Sequence, residues 1–218
     1  MTIVVNIPLI HGEDLDTALE LGAARIDIDC VNWPEQFPYA PLCSARVART
    51  EEALVVDFRV SGLDLRVQNT QDNGRQWEDS CVEFFVQDPD GSCYYNFEIN
   101  ALGKVLACKG PDRHNREARP EEEMRQILRF TDARSLPGMT EGGVIPDLIG
   151  NLLSWRVAVV IPFRLIGANP QALPHSLKAN FYKCGDKTAH PHYLSWSPIP
   201  TPKPDFHRPE YFGELVLA

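Results

Sequence analysis

The stretch that decides the fold is Cys81-Val-Glu-Phe-Phe-Val-Gln87, followed by Asp88-Pro-Asp-Gly91 and Ser92-Cys-Tyr-Tyr-Asn-Phe-Glu-Ile-Asn100. The two outer segments are apolar runs with a period of two, which is typical of β-strands. Proline suits the second position of a type I turn and glycine suits its end, so the middle segment predicts a tight turn. The whole stretch therefore predicts a hairpin of two antiparallel strands.

Alternation divides this hairpin into two faces of different character. One face is that of an apolar core: Val82, Phe84, Val86, Cys93, Tyr95, Phe97 and Ile99. The other face is amphipathic: Cys81, Glu83, Phe85, Tyr94, Asn96, Glu98 and Asn100. A turn that closes symmetrically over 88–91 places Glu83 opposite Asn96, with Glu98 diagonally beyond at about 7–8 Å.

The amphipathic face is the first candidate for a functional site. Asparagine is a poor strand former, so its presence argues against an ordinary solvated face, which is the other interpretation. Carboxylates accept hydrogen bonds from hydroxyl groups, and carboxamides both donate and accept them. Trp77, shortly before the first strand, supplies a flat ring for the apolar face of a pyranose. The pattern favours a site for a neutral sugar.

The rest of the chain predicts an all-β fold. With 218 residues, the chain has the length of one domain, 1–218, in which 1–30 is an N-terminal extension or strand. Further strands are predicted over 53–60, 156–161, 177–184 and 213–218. Their irregular spacing, without βα alternation, favours an antiparallel β-sandwich.

A short helical and loop insertion around 111–150 interrupts the predicted strands. Within it, 120–130 fits one amphipathic helix, with Met124, Ile127 and Leu128 on one stripe. A Gly/Pro-rich surface loop is predicted to follow over 135–151.

Composition excludes several classes of function. The net charge of −9 argues against a nucleic-acid-binding surface, and no apolar run approaches the length of a membrane span. The first residues, Met1 to Pro8, lack the basic region of a signal peptide, which leaves the cellular location open. Six cysteines occur without a C-x-x-C pair, so we expect free buried thiols rather than a zinc knuckle.

Six segments together resemble the carbohydrate-binding module family 9-like domains. They appear in order over most of the chain, as Trp77–Val86, Tyr94–Gly103, Trp155–Phe163, Lys178–Lys183, His192–Trp196 and Asp205–Gly213. The resemblance implies a jelly-roll-like β-sandwich that holds a mono- or oligosaccharide between tryptophans. It implies structural calcium in some members and no other cofactor.

The resemblance also implies roles for single residues. Trp77 and Glu83 match the W-x5-E spacing of a ring platform and a hydroxyl acceptor, Asn100 matches an asparagine of the next strand, and Trp196 is the second platform. Glu98 stands where xylanase-linked members have a sugar-contacting arginine. The predicted ligand-binding set is Trp77, Glu83, Asn96, Glu98, Asn100, Asn180 and Trp196, with no catalytic residue and no metal ligand.

Two other functions stay open. Glu83 and Glu98 permit a glycoside hydrolase, because such enzymes use paired carboxylates about 5–9.5 Å apart. Against catalysis, the sequence shows no apolar pocket that would raise one pKa. A structural or interaction domain that has lost its ligand is the third hypothesis.

Four further features receive structural interpretations. Trp33 and Trp155 are expected to pack in the interior. His190-Pro-His192 is expected to be a solvated loop rather than a zinc site, which would need more ligands. The segment 206–209 is expected to lock the last strand in place or, alternatively, to rim the site.

Overall fold

The computed structural model describes residues 2–12, 14–132 and 145–217, and of residues 145–149 and 151 it describes the backbone only. The strands are β1 (Val4–Ile7), β2 (Ala24–Asp27), β3 (Cys30–Val31), β4 (Leu42–Arg49), β5 (Ala53–Val67), β6 (Cys81–Gln87), β7 (Tyr94–Asn100), β8 (Val105–Gly110), β9 (Glu117–Ala118), β10 (Leu128–Thr131), β11 (Ile145–Pro162), β12 (Ser176–Cys184), β13 (Tyr193–Ser195) and β14 (Gly213–Leu217). The helices are α1 (Leu15–Gly22) and α2 (Glu121–Met124). None of the described helices is long and apolar enough to cross a membrane.

The strands form two sheets packed face to face. In the described parts of the chain, the larger sheet follows the order β1-β14-β12-β6-β7-β8-β9, with β13 and β3 beside β12. The smaller sheet follows the order β10-β11-β5-β4-β2. Pairing is antiparallel except between β1 and β14. The predicted β-sandwich is confirmed, and the N-terminal residues contribute a strand to each sheet.

The apolar face of the hairpin lies in the core between the sheets. Val82, Phe84, Val86, Phe97 and Ile99 are at most 1% exposed. The ring of Phe84 stacks on that of Phe181 of β12, with centroids 5.0 Å apart. The division of the hairpin into two faces is therefore as predicted.

The register of the hairpin differs from the prediction by two residues. Glu83 pairs with Glu98, not with Asn96, and Phe85 pairs with Asn96. The cause is the turn: the Asp88 N–H donates to the Cys93 carbonyl at 3.0 Å, and the Asp88 carboxylate accepts from the Cys93 N–H at 3.0 Å. The loop is thereby closed over 89–92. A register shift of two residues leaves every side chain on its predicted face, because side chains alternate between the two faces with a period of two.

The insertion folds differently from the predicted helix. The helix ends at Met124, and the chain then forms β10, which pairs with β11. Met124 and Ile127 are buried as predicted, but Leu128 is exposed on the edge strand. Pairing with β11 satisfies the backbone and overrides local helical preference. Residues 135–144 of the predicted loop lie outside the described residues. From Ile145 onward, where the loop was predicted to continue, the chain belongs to strand β11.

Candidate functional site

The outer face of the larger sheet forms the floor of a cleft of about 410 Å³. The pairing of the strands β12, β6, β7 and β8 places two rows of side chains across this face. One row is Tyr182, Glu83, Glu98 and Leu106, and the next is Asn180, Phe85, Asn96 and Cys108. The cleft is lined by Trp77, Glu83, Asn96, Glu98, Leu106, Cys108, Arg113, Arg116, Cys184, Asp186, Tyr193, Pro204, Asp205, Phe206 and His207.

Four parts of the described chain wall this floor: the turn at Trp77, the loop after β8, the segment after β12 and the segment before β14. An ion pair of 3.0 Å joins Arg113, after β8, to Asp205, before β14. As a result, Glu83 is only 3% exposed and Glu98 only 5%. The prediction of an open sheet face is therefore wrong, because segments distant in sequence fold over the strands.

Trp77 forms one wall from a short 3₁₀ turn before β6. Its carbonyl accepts from the Asp186 N–H at 2.9 Å, and Glu78 forms an ion pair of 3.0 Å with Lys187. The Asp79 carboxylate accepts the backbone N–H groups of residues 68 and 69, both at 2.9 Å. These bonds fix the turn, and the Trp77 side chain stays half-buried at the cleft.

Arg116 organises the polar groups of the floor. Its guanidinium donates to Asn96 Oδ1 at 2.9 and 2.5 Å and to the carbonyl of Tyr94 at 3.0 Å. It also lies 4.1 Å from the centroid of the Tyr94 ring. The side-chain oxygen of Asn96 faces Arg116, so the amide N–H of Asn96 points the other way and donates to Glu98 Oε1 at 2.9 Å. A chain of hydrogen bonds thus runs from Arg116 through Asn96 to Glu98.

The two glutamates are held partly neutral by burial. Burial raises the pKa of Glu98 to about 7, against the opposing effect of the Asn96 hydrogen bond. Burial also raises the pKa of Glu83 well above its usual value, and the neighbouring Cys184 and Glu98 act in the same direction. The shift favours the protonated form of Glu83, and a neutral carboxyl group both donates and accepts hydrogen bonds.

Two thiols lie beside Glu83. Cys184 Sγ is 3.0 Å from Glu83 Oε1, and Cys81 pairs with Cys184 across β6 and β12. Burial raises the pKa of Cys81 to about 12. All six cysteines are free, as predicted; Cys43, Cys81 and Cys184 are buried and the other three are half-buried.

The model of carbohydrate-binding family 9 matches residues 14–217. The chain belongs to this family. It is similar over 100% of both chains to a "putative carbohydrate-binding protein" from Bacteroides uniformis, with 31% identity and a TM-score of 0.87. A search of the curated proteins found no significant match.

The fold is also similar to that of a family 9 module from Caldicellulosiruptor kristjanssonii. Its complex with glucose has 12% identity and a TM-score of 0.57, over 99% of this chain and 96% of that chain. Its complex with cellotriose has 13% identity and a TM-score of 0.56, over 99% of this chain and 92% of that chain.

Four of the residues predicted for this family 9 chain meet at the cleft. Trp77, Glu83, Asn96 and Glu98 all line it. The sequence prediction did not include Arg113 and Arg116, which come from a loop rather than a strand. The resemblance aligned Glu98 with a sugar-contacting arginine of xylanase-linked members, and Arg116 brings a guanidinium to the same floor from the loop after β8.

Asn100 and Asn180 lie outside the cleft. Asn100 is fully buried, and its Oδ1 accepts the N–H groups of Leu102 and Lys104 at 3.2 and 3.0 Å, which shapes the turn after β7. Asn180 accepts from the Ser197 N–H at 2.9 Å and donates to the Ser197 carbonyl at 3.0 Å. Their side-chain groups are used to hold the backbone, and neither residue lines the cleft in which four of the predicted residues meet.

Trp196 is a core residue and not a second platform in this family 9 chain. It is 7% exposed and packs edge-on against Phe181 between the sheets, with centroids 5.7 Å apart. Trp196 comes directly after β13, and its side chain lies on the core side of the larger sheet rather than on the cleft side. Other aromatic surface in the cleft comes from Tyr193, Phe206 and His207. The alternative in which the segment 206–209 rims the site is thus the correct one for Phe206 and His207.

The two histidines of the pair differ: His190 is exposed, as expected of a solvated loop, whereas His192 is buried. His192 is 1% exposed, and its Nε2 lies 2.8 Å from the buried ammonium of Lys183. His190 Nδ1 lies 2.8 Å from the Asp64 carboxylate. His192 and the Cys184 carbonyl compensate the burial of the Lys183 ammonium, and local sequence did not reveal this arrangement. Trp33 and Trp155 pack in the interior, as predicted.

Proposed function

We propose that the protein binds a neutral mono- or oligosaccharide in this cleft without changing it chemically. The observation that carries the proposal is one cleft that joins a half-buried indole, Trp77, to the hydrogen-bonded chain Arg116–Asn96–Glu98. Its volume of about 410 Å³ is within the range of small-molecule sites.

The groups of the cleft complement a sugar ring. The Trp77 indole offers a flat apolar surface for the C–H face of a pyranose. The carboxyl groups of Glu83 and Glu98, whose pKa values are raised by burial, offer hydrogen-bonding groups for the hydroxyl groups of the ring edge. None of these contacts needs a charge on the ligand, which suits a neutral hexose.

The relatives support the same class of ligand. The Caldicellulosiruptor module is seen with glucose and with cellotriose, so these two sugars are the first probes for this chain. The Bacteroides protein, which is 31% identical to this chain, carries a carbohydrate-binding name, and this supports sugar binding here as well.

The direct test is calorimetric titration with glucose, cellotriose, xylose and mannose. We expect saturable binding of at least one sugar at millimolar or lower concentration, and we expect it to weaken in Trp77→Ala. The matched control is Trp155→Phe, an interior indole in the core between the sheets. No heat with any sugar would contradict the proposal.

One observation favours glycoside hydrolysis as a second candidate. The sequence suggested no pocket that raises a carboxyl pKa, yet burial holds that of Glu98 at about 7, directly opposite Glu83. A general acid with such a pKa is suited to protonate a leaving group at neutral pH. Turnover of aryl glycosides that disappears in both Glu83→Gln and Glu98→Gln would establish catalysis. Binding without turnover across a broad panel would exclude it.

The third hypothesis, a domain that has lost its ligand, predicts apolar or salt-bridged side chains filling the space beside Trp77. That space is a cleft with carboxyl, carboxamide and guanidinium groups on its surface. Its polar lining favours a ligand-binding function.

A further inference from the structure

We propose that Cys81, Cys184 and Glu83 form a binding site for a thiophilic divalent cation, of which Zn²⁺ is the representative probe. The site lies at the edge of the cleft floor, where Glu83 and Cys184 line the cleft. The proposal concerns metal binding alone and stands whether or not a sugar binds.

Strand pairing brings the three side chains together. Cys81 and Cys184 are direct partners across β6 and β12, and Glu83 follows Cys81 on the same face. The two sulfur atoms and a carboxylate oxygen all lie within 4.8 Å of one another. Zn–S bonds of about 2.3 Å and Zn–O bonds of about 2.0–2.2 Å require ligand atoms at such separations, so small side-chain movements suffice.

The chemistry of the donors selects the class of metal. Two thiols and one carboxylate are a soft to borderline set, which suits Zn²⁺ and its analogue Co²⁺ rather than Ca²⁺ or Mg²⁺. The site is therefore different in kind from the structural calcium that the sequence resemblance implied. The three ligands come from the middle of a sheet and are at most 3% exposed, so the strands hold them in place.

The charge around the three ligands is a second, independent observation. Glu98, 5% exposed and directly opposite Glu83, has one buried oxygen, Oε2, without a hydrogen-bond partner among the described residues. Asp186 also lines the cleft. A buried carboxyl group without a partner is costly, and a cation beside it offsets that cost.

The nearby cationic side chains are engaged elsewhere. The Lys183 ammonium donates to the Cys184 carbonyl at 2.6 Å and lies 2.8 Å from His192 Nε2. Arg116 binds Asn96 and backbone carbonyls, and Arg113 pairs with Asp205. None of these four cationic or titratable groups is hydrogen-bonded to Glu83 in the part of the chain that the structure describes.

Because Glu83 and Cys184 line the cleft, we expect the fourth position of a tetrahedral metal to face it. Three protein ligands with an open fourth position are the pattern of zinc sites that bind water or a further ligand. Both thiols and the Glu83 carboxyl group bind the metal in their deprotonated forms, so loading releases protons and the affinity for Zn²⁺ rises with pH.

The test is titration of the reduced, chelator-treated protein with Co²⁺, read by absorption. We expect one equivalent to give tetrahedral d–d bands and thiolate-to-cobalt charge transfer, and Zn²⁺ to displace it. Cys81→Ala, Cys184→Ala and Glu83→Gln should each weaken binding by about tenfold or more. Cys43→Ala, an equally buried thiol in the core, is the matched control and should bind as the wild type does.

A measurement on the unaltered protein guards against misfolded variants. Zn²⁺ should raise the melting temperature and protect Cys81 and Cys184, but not Cys43, from alkylation under partly denaturing conditions. The proposal is overturned if no charge-transfer band appears, if the band survives in all three ligand variants, or if purified protein contains a Cys81–Cys184 disulfide.

Discussion

Glu83 and Glu98 face each other directly across β6 and β7, and both carboxyl groups are almost completely buried. Two like charges in that position would repel each other strongly in a medium of low polarity. Burial raises the pKa of both carboxyl groups, which disfavours the doubly charged pair, and Asn96 donates a hydrogen bond to Glu98. The floor of the cleft thus presents two facing carboxyl groups whose pKa values are both raised.

The burial of Glu98 predicts a pH dependence of stability. Its pKa is about 7 in the folded protein against an ordinary value of 4.5, so the folded state binds the proton more tightly. The contribution of Glu98 to the free energy of unfolding is therefore complete below about pH 4.5 and lost as the pH rises through about 7. Urea denaturation at pH 5, 6, 7 and 8 should show a shallower decline in Glu98→Gln than in the wild type.

The exposed Glu35, replaced by Gln, is the control for this measurement and should keep the slope of the wild type. Equal slopes in the wild type and Glu98→Gln would show that Glu98 titrates like a solvated carboxyl group.

Trp77→Ala should weaken sugar binding by about 1 kcal/mol to a few kcal/mol, because a stacked aromatic surface is removed. Its thermal melt should change little, since the side chain is half-buried at the cleft wall. Trp155→Phe, in the core, should show the reverse: a lower melting temperature and unchanged affinity in the folded protein. Calorimetry and thermal melts of the two variants distinguish these cases.

Arg116→Met should reduce both affinity and stability. Asn96 loses the guanidinium that orients its amide, and the carbonyls of Tyr94 and Cys108 lose their donors. Lost hydrogen bonds to a charged group cost about 1.5–3 kcal/mol each. Arg125→Met, which removes an exposed ion pair with Glu121, should leave both properties within error of the wild type. Equal behaviour of the two variants would remove Arg116 from the site.

The core position of Trp196 predicts a specific steric conflict. A Cβ added at Gly213 would lie 2.5 Å from Cζ3 of Trp196 and 3.0 Å from the Ile3 carbonyl. Gly213→Ala should therefore destabilise the fold by about 1–3 kcal/mol. Adding Trp196→Phe should recover part of that loss, because the smaller ring makes room. Strictly additive effects in this double-mutant cycle would place Trp196 away from Gly213.

The faces of the hairpin could be predicted from sequence, because alternation is a local property that survives a shift of two residues. The pairing partner of Glu83 could not, since the Asp88 carboxylate closes the loop by bonding to Cys93. The same limit applies to Leu128–Thr131, which forms a strand only because β11 is beside it.

The site was predictable where its residues lie on that hairpin or directly before it. Trp77 and the three hairpin residues of the cleft share one face or its edge. Arg116 was not predictable, because it enters from a loop whose path is set by the tertiary fold. Asn180 and Trp196 were assigned from family motifs, and a motif does not show whether a side chain faces the cleft, the backbone or the core.

The most direct test of sugar binding in the cleft is a titration of the ¹⁵N-labelled protein, followed through its four indole N–H resonances. Trp77 is the tryptophan that lines the cleft, whereas Trp155 and Trp196 lie in the core between the sheets. With glucose or cellotriose, we predict a saturable shift that is largest for Trp77, assigned through Trp77→Phe, and unchanged resonances for Trp155 and Trp196. A shift centred on Trp196, or no shift of Trp77 at saturating sugar, would contradict a sugar site in this cleft.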